Sequence, residues 1–161
     1  MIPLELVGVR VEVPANTPMI LLREQEGRHR LLPIYIGGVE ASAIHYALEG
    51  LEPPRPLTHD LLIDVVRSLG ADLDEIVVTE MRDRTFYAEL HLTVGGERRT
   101  VSARPSDAVA LAVRCGAPIF AKDELLDEQG QEPPAEPEDE AAEIIDEFKD
   151  FLESVDPDDF A

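Results

Sequence analysis

Glu40, His59, Asp60 and Asp107 are the residues of this 161-residue chain whose types and spacing could do chemistry. At roughly 100° per residue, Glu40 falls amid Ala43, Ile44, Ala47, Leu48 and Leu51, the apolar face of an expected helix. Ser42, His45, Tyr46 and Glu49 fall opposite. A carboxylate among apolar neighbours must find a partner or shift its pKa upward. Glu40 therefore either answers the helix dipole in the first turn or faces Arg55 or Arg104 as a site carboxylate. Asp60 and Asp64 lie one helical turn apart with His59 beside them. Two oxygens at that spacing could hold a divalent cation and leave waters free for reaction, or they line a solvated helix face. His59-Asp60 superficially suggests a His-Asp phosphohydrolase, but His29, His45 and His91 do not provide the further histidines at set distances. Asp107 stands at a helix start, where Arg104, Ser106 and free N–H groups would suit an anion and the carboxylate itself would stabilise the helix. Cys115 closes an apolar run and reads as a buried thiol rather than a nucleophile. No Gly-x-Ser-x-Gly elbow, phosphate loop, dinucleotide fingerprint or zinc pattern occurs.

Positioning these groups requires strands and helices in a definite order. Val7, Val9, Val11 and Val13 alternate with Gly8, Arg10 and Glu12, which sets one apolar face on a period of two. Met19 to Leu22 and Arg30 to Ile36 flank the polar stretch Glu24-Gln-Glu-Gly27, as in a hairpin. Gly37-Gly38 breaks the strand pattern, and Val39 to Glu49 carries helix formers closed by Gly50, so a helix is expected over 38–49. Beyond the proline-stiffened Glu52-Pro-Pro-Arg-Pro56, Thr58 reads as an N-cap with Asp60 in the first turn. Leu61, Leu62, Val65, Val66 and Leu69 form that helix's stripe, and Gly70 ends it.

Residues 75–82, 85–94 and 97–103 read as a meander with a tight turn at Gly95-Gly96. Ser106 then reads as the cap of a helix that is apolar nearly all round and therefore buried, with Arg114 in its last turn. The Arg55-Pro56 approach to Thr58, Asp60 and Arg67 is echoed by the Arg104-Pro105 approach to Ser106, Asp107 and Arg114. The expected fold class is α+β: a mostly antiparallel sheet with three main helices packed on it, plus an acidic C-terminal tail helix.

Composition separates the tail from the rest. The net charge is −20, yet residues 1–122 hold 17 acids against 13 bases, whereas residues 123–161 hold 17 acids against Lys149 alone. The excess acid is a tail property, and nucleic-acid binding draws on basic surface. Residues 126–138 are rich in Pro and Glu and read as a linker. In residues 139–161, Ile144, Ile145, Phe148, Phe151 and Leu152 recur at helical spacing up to Pro157, an amphipathic helix whose apolar face needs a partner. A single cysteine excludes an intramolecular disulfide framework and fits a reducing, cytoplasmic setting. No apolar run approaches the roughly 18 residues that cross a bilayer, and the N-terminus has no signal-peptide pattern, so no membrane association is expected.

Four segments occur in the order and spacing of a known family: Leu32-Pro-Ile-Tyr-Ile-Gly-Gly-Val-Glu-Ala41, Arg55-Pro-Leu-Thr-His-Asp-Leu-Leu62, Thr85-Phe-Tyr-Ala88 and Ala103-Arg-Pro-Ser-Asp-Ala-Val-Ala-Leu-Ala112. Over residues 1–125 the chain resembles the bifunctional nuclease (BFN domain) family, and its tail resembles the acidic, Phe-ending extension of some bacterial members. The resemblance implies a compact α+β domain that self-associates, a dimer first among the assemblies, with DNase and RNase activity reported for plant relatives. The family's motif residues fall here on Glu40, Arg55, Thr58, His59, Asp60, Arg104, Ser106 and Asp107. Where relatives commonly carry Asp, this chain has Ser102, a weaker donor to any metal held at that position.

Two functions are consistent with this pattern. In the first, the protein cleaves phosphodiester bonds of RNA or DNA. Glu40, Asp60 and Asp107 would hold Mg²⁺ or Mn²⁺ and activate water, with His59 among the catalytic groups. Arg55 and Arg104 would offset charge on the phosphoryl oxygens, with Thr58 and Ser106 also binding substrate. In the second, it is a non-enzymatic oligomeric binding module for a small anion or a protein, with a regulatory acidic tail whose helix docks a protein partner. Arg55 and Arg104 could also simply bridge Glu40 and Asp107 and hold loops together.

Overall fold

The computed structural model describes residues 1–134, 148–151 and 153–154. Two antiparallel meanders make up most of it. The first comprises β1 (Ile2–Glu12), β2 (Thr17–Glu24) and β3 (Leu31–Tyr35); the second comprises β4 (Ala71–Arg82), β5 (Thr85–Val94) and β6 (Glu97–Ala103). Helices α1 (Gly38–Leu48) and α2 (Thr58–Ser68) lie between the meanders in sequence, and α3 (Pro105–Cys115), β7 (Ile119–Ala121) and α4 (Asp123–Gln129) follow. The seven strands form one sheet in the order β3-β2-β1-β7-β4-β5-β6. The short β7 joins the halves, pairing antiparallel with β1 and parallel with β4. The protein is thus α+β, with a mostly antiparallel sheet and several helices.

The alternation expected through Val7 breaks at a bulge. Register shifts between Leu6 and Gly8, so that Leu4 joins Val9 and Val11 in the core although an unbroken strand would turn them to opposite faces. Around them pack Ile20, Leu22, Leu32 and Ile34 of the first meander, Ile76, Val78, Ala88 and Leu90 of the second, and Ala108 to Ala112 of α3. The expectation of a buried helix at α3 is met throughout that run.

Both predicted hydroxyl caps are displaced by one or two residues. The N-cap of α2 is Leu57, leaving Thr58 as its first residue, and the Asp60 carboxylate three positions on accepts from the Leu57 N–H at 3.1 Å. In α3 the N-cap is Arg104 and Pro105 opens the helix, which suits a residue with a fixed φ and no N–H to satisfy. Ser106 falls inside the first turn and is buried rather than capping. The inward face of α1 also differs from expectation. Ala41, Ser42 and Ile44 are buried, whereas Leu48 and the following Leu51 are exposed. Burial of Ser42 costs little because its hydroxyl donates to the Gly38 carbonyl one turn back.

Residues 126–132, within the stretch read as a linker, are attached to the domain. Leu125 and Leu126 of α4 are buried, and Gln131 pairs with Leu31 through two backbone hydrogen bonds of 2.8 Å. Arg30 reaches both Glu24 and Asp127, tying α4 to the β2–β3 hairpin. Of the tail helix expected within 139–161, residues 148–151 are helical; 135–147 and 155–161 lie outside the described residues. Among the described residues no helix is long and apolar enough to cross a membrane.

Candidate functional site

The N-termini of α1, α2 and α3 bring Glu40, His59, Arg104 and Asp107 into one neighbourhood. Each sits in a first turn or at an N-cap, so the local sequence fixes its direction before any long-range contact forms. Arg104 is the hub. Its Nε donates to Asp107 Oδ2 at 2.8 Å, and its Nη2 donates to Asp107 Oδ1 at 3.1 Å and to Glu40 Oε1 at 3.0 Å. The guanidinium is nevertheless 64% exposed, and its Nη1 makes no hydrogen bond among the described residues. A fork braced by two carboxylates on its inner side and open on its outer side can present N–H donors to an anion.

His59 completes the cluster. Its Nε2 lies 2.9 Å from Asp107 Oδ1, and because a carboxylate only accepts, Nε2 carries the proton and Nδ1 is left to accept or release one. Burial opposes ionisation of Asp107, but hydrogen bonds from Arg104 and His59 outweigh it and hold the carboxyl below its ordinary range. The same contacts, Asp107 first and Glu40 second, raise the Arg104 pKa. Asp107 is therefore a fixed anion that orients an imidazole and a guanidinium together.

Asp60 is engaged elsewhere. Its Oδ1 accepts from Arg114 Nε at 2.7 Å, seven residues along α3 from Asp107, or about 10 Å of helix rise. Arg114 also donates to the carbonyls of Ala110 and Ala43, so one nearly buried guanidinium fastens α1, α2 and α3 together. The sequence echo spaces Asp60 and Arg67, and likewise Asp107 and Arg114, seven residues apart; in the structure Asp60 pairs with Arg114 and Asp107 with Arg104. Arg114 was the residue missed as a site component. The only signal for it was its place in that echo.

As arranged, the expected metal trio does not fit a shared ion. Among the described residues no three His, Cys, Asp or Glu side chains are placed to hold a metal together. Glu40 and Asp107 both face Arg104, and Asp60 faces Arg114. Asp64 is exposed on α2. Arg55 is exposed on the loop before α2 and makes no ion pair among the described residues; Thr58 is exposed beside it, whereas Ser106 is buried. Ser102 lies on β6 opposite Glu89 of β5.

Comparison with known proteins decides the lineage of this cluster. The profile of the bifunctional nuclease domain matches residues 20–134, a span that contains every residue of the cluster. The chain belongs to the bifunctional nuclease family. An uncharacterized protein of Mycobacterium tuberculosis is 46% identical over 160 residues, covering 96% of this chain and 95% of its own length. Bifunctional nuclease 1 of Oryza sativa subsp. indica is 30% identical over 114 residues, 69% of this chain and 34% of the rice protein. Bifunctional nuclease 1 of Arabidopsis thaliana is 32% identical over 108 residues, 65% of this chain and 33% of the plant protein. The chain thus spans about a third of these plant relatives.

Proposed function

We propose that the protein is a nuclease that hydrolyses phosphodiester bonds of RNA and/or DNA at the Arg104 cluster. The observation that carries this reading is an exposed guanidinium braced by Asp107 and Glu40, its Nη1 without a hydrogen bond among the described residues, beside a histidine oriented by the same Asp107. Arg104 would bind a non-bridging phosphoryl oxygen and offset the charge that builds there. His59 Nδ1 would take a proton from the attacking water as its oxygen bonds to phosphorus and give it to the leaving ester oxygen as that P–O bond breaks. Arg55, exposed nearby in sequence, would extend the anion path toward the next phosphate.

The scaffold would act as a cytoplasmic homo-oligomer. Leu61, Leu62, Val65 and Leu69 on α2 are each at least 41% exposed, an apolar stripe suited to a second copy. This stripe also favours the second reading, a non-enzymatic oligomeric binding module whose cluster holds a small anion without turning it over.

Incubation of the full chain with single-stranded RNA and single-stranded DNA, in Mg²⁺, Mn²⁺ or EDTA, separates the readings. Cleavage by the wild type is expected to be lost in Asp107→Asn and weakened in Glu40→Gln, with Asp60→Asn acting mainly through stability. A requirement for Mg²⁺ or Mn²⁺ would mean that Glu40, Asp60 and Asp107 leave their arginines to serve an ion. Equal cleavage by all variants would assign the activity to another site or a contaminant, and binding without cleavage would select the module.

Gly37 offers a subtler check. A Cβ there would overlap the Glu40 carboxylate, while the backbone at φ −76° accepts any residue. Gly37→Ala should displace Glu40 from Arg104 and lower kcat/KM roughly tenfold. Its melting temperature should stay within about 2 °C of wild type.

A further inference from the structure

Phe148 lies far along the acidic tail, yet it is 3% exposed and belongs to the core cluster of the domain. Its ring meets the His45 imidazole edge-on, with centroids 5.5 Å apart at 82°. Phe151 stacks on Phe148 at 6.5 Å and stays partly exposed, while Lys149, Asp150 and Glu153 face outward. Ser154 closes the turn through its N–H to the Asp150 carbonyl and its hydroxyl to the Phe151 carbonyl. Among the described residues of 148–154, Phe148 is the one buried side chain, in a part of the chain that holds 17 acids and Lys149 as its only lysine or arginine. With Lys149, Asp150, Phe151, Glu153 and Ser154 exposed, few buried apolar contacts hold these described residues, which places them at the low end of local stability.

We propose that the α1 surface around His45 is a receptor for the acidic, phenylalanine-bearing C-terminal segment, occupied in cis by Phe148 and vacated as His45 becomes protonated. The chain's own 148–151 turn occupies the surface, with Phe148 inward and Lys149 and Asp150 outward. The imidazole is the element that can change. Burial beneath the ring lowers its pKa, Glu49 on α1 opposes this, and Lys149 on the segment reinforces it. When the segment leaves, His45 returns toward its ordinary value of about 6.5. The released form then binds protons more readily, so the contact is full above that value and is lost as pH falls through the depressed one.

The consequence is a movable block of negative charge. Seated, Asp150 and Glu153 are held beside α1, the helix whose first turn supplies Glu40; released, they are free of that helix. This device does not depend on the nuclease reading, since its first readouts involve no nucleic acid.

Histidine NMR on the full chain, with His45 assigned through His45→Gln, is the test, together with hydrogen exchange at residues 148–151. In the wild type His45 should titrate below the ordinary range; in Phe148→Ala it should return to that range, and in Phe148→Leu, which keeps an apolar anchor, fall between. After correction for intrinsic rates, protection of 148–151 should drop severalfold from about pH 7.5 to about pH 5.5 in wild type and stay level in His45→Gln. Identical His45 titration in wild type and Phe148→Ala would overturn the proposal. So would equal protection at both pH values, or protection that rises with protein concentration, which would give the surface to a second copy's tail. A matched measurement of RNA binding by Phe148→Ala then reports on the nuclease reading alone.

Discussion

Arg30→Met should destabilise the domain by about 3–5 kcal/mol, because it strands a buried carboxylate. Arg30 and Glu24 have side chains only 7% and 8% exposed, and the guanidinium donates to Glu24 through Nε and Nη2 and to Asp127 through Nη1. Removing one partner of such a pair leaves the other without either water or a counterion. For a domain of this size the loss corresponds to a fall in Tm of roughly 10 °C or more. Two controls separate the causes. Arg30→Met combined with Glu24→Leu removes both charges and should recover most of the loss, because an apolar pair of similar volume can fill the site. Asp127→Ala removes only the mostly exposed partner and should cost less than about 1 kcal/mol.

The pH dependence carries a definite sign. The Arg30 hydrogen bond outweighs burial and holds the Glu24 carboxyl below its ordinary range. A depressed carboxyl stabilises the fold above its unfolded pKa of about 4.3, and that contribution fades as pH falls through the lower folded value. In Arg30→Met the guanidinium's hydrogen bonds and charge are gone, while the position-30 N–H and Arg28 still favour the carboxylate, so burial, which favours the neutral acid, weighs more than in the wild type. Acidification therefore weakens the wild type while relieving the variant, so the gap in Tm should narrow below about pH 4. A gap that stays constant would show that the cost arises from lost packing of the Arg30 stem.

Arg30 also shows where the sequence stops being informative. Its partners lie 6 and 97 residues away, and only the closing of α4 over the hairpin brings Asp127 within 2.9 Å. Local periodicity exposed the two meanders and the helices between them, because those elements bury a face that repeats every two or about 3.6 residues. It could not show β7, whose three residues are too few for a period, nor the bulge at Leu6/Gly8, which puts Leu4 on the same core face as Val9 and Val11.

The same division holds at the candidate site. That Glu40 needs a partner is legible, since a carboxylate among apolar neighbours demands one, but the helix dipole, Arg55 and Arg104 all remain open until the structure selects Arg104. That Asp60 would choose Arg114 over a shared metal with Asp107 was not, because the choice depends on how α2 crosses α3. His45 was placed on the polar side of its helix, but the aromatic ring that buries it comes from 103 residues later in the chain.

Arg104→Met should lower kcat/KM for RNA cleavage by about 10²–10³-fold, the usual cost of losing one positioned donor to developing phosphoryl charge. Stability should hardly change. The side chain is 64% exposed, and ion pairs at such a position contribute about 0–1 kcal/mol. The contrast with Arg30 is the point of the experiment: two arginines, each braced by two carboxylates, one buried with its Nη1 committed to Asp127 and one exposed with its Nη1 open. Arg104→Lys keeps the charge but cannot reproduce the fork that spans Asp107 and Glu40, so its activity should fall between wild type and Arg104→Met. The loss should be larger in kcat than in KM, because the guanidinium is placed to meet charge that grows as the bond breaks. If Arg104→Met instead lowers Tm by several degrees and leaves cleavage intact, the guanidinium is a clamp between α1 and α3, and the chemistry must then reside with His59 and a different cation.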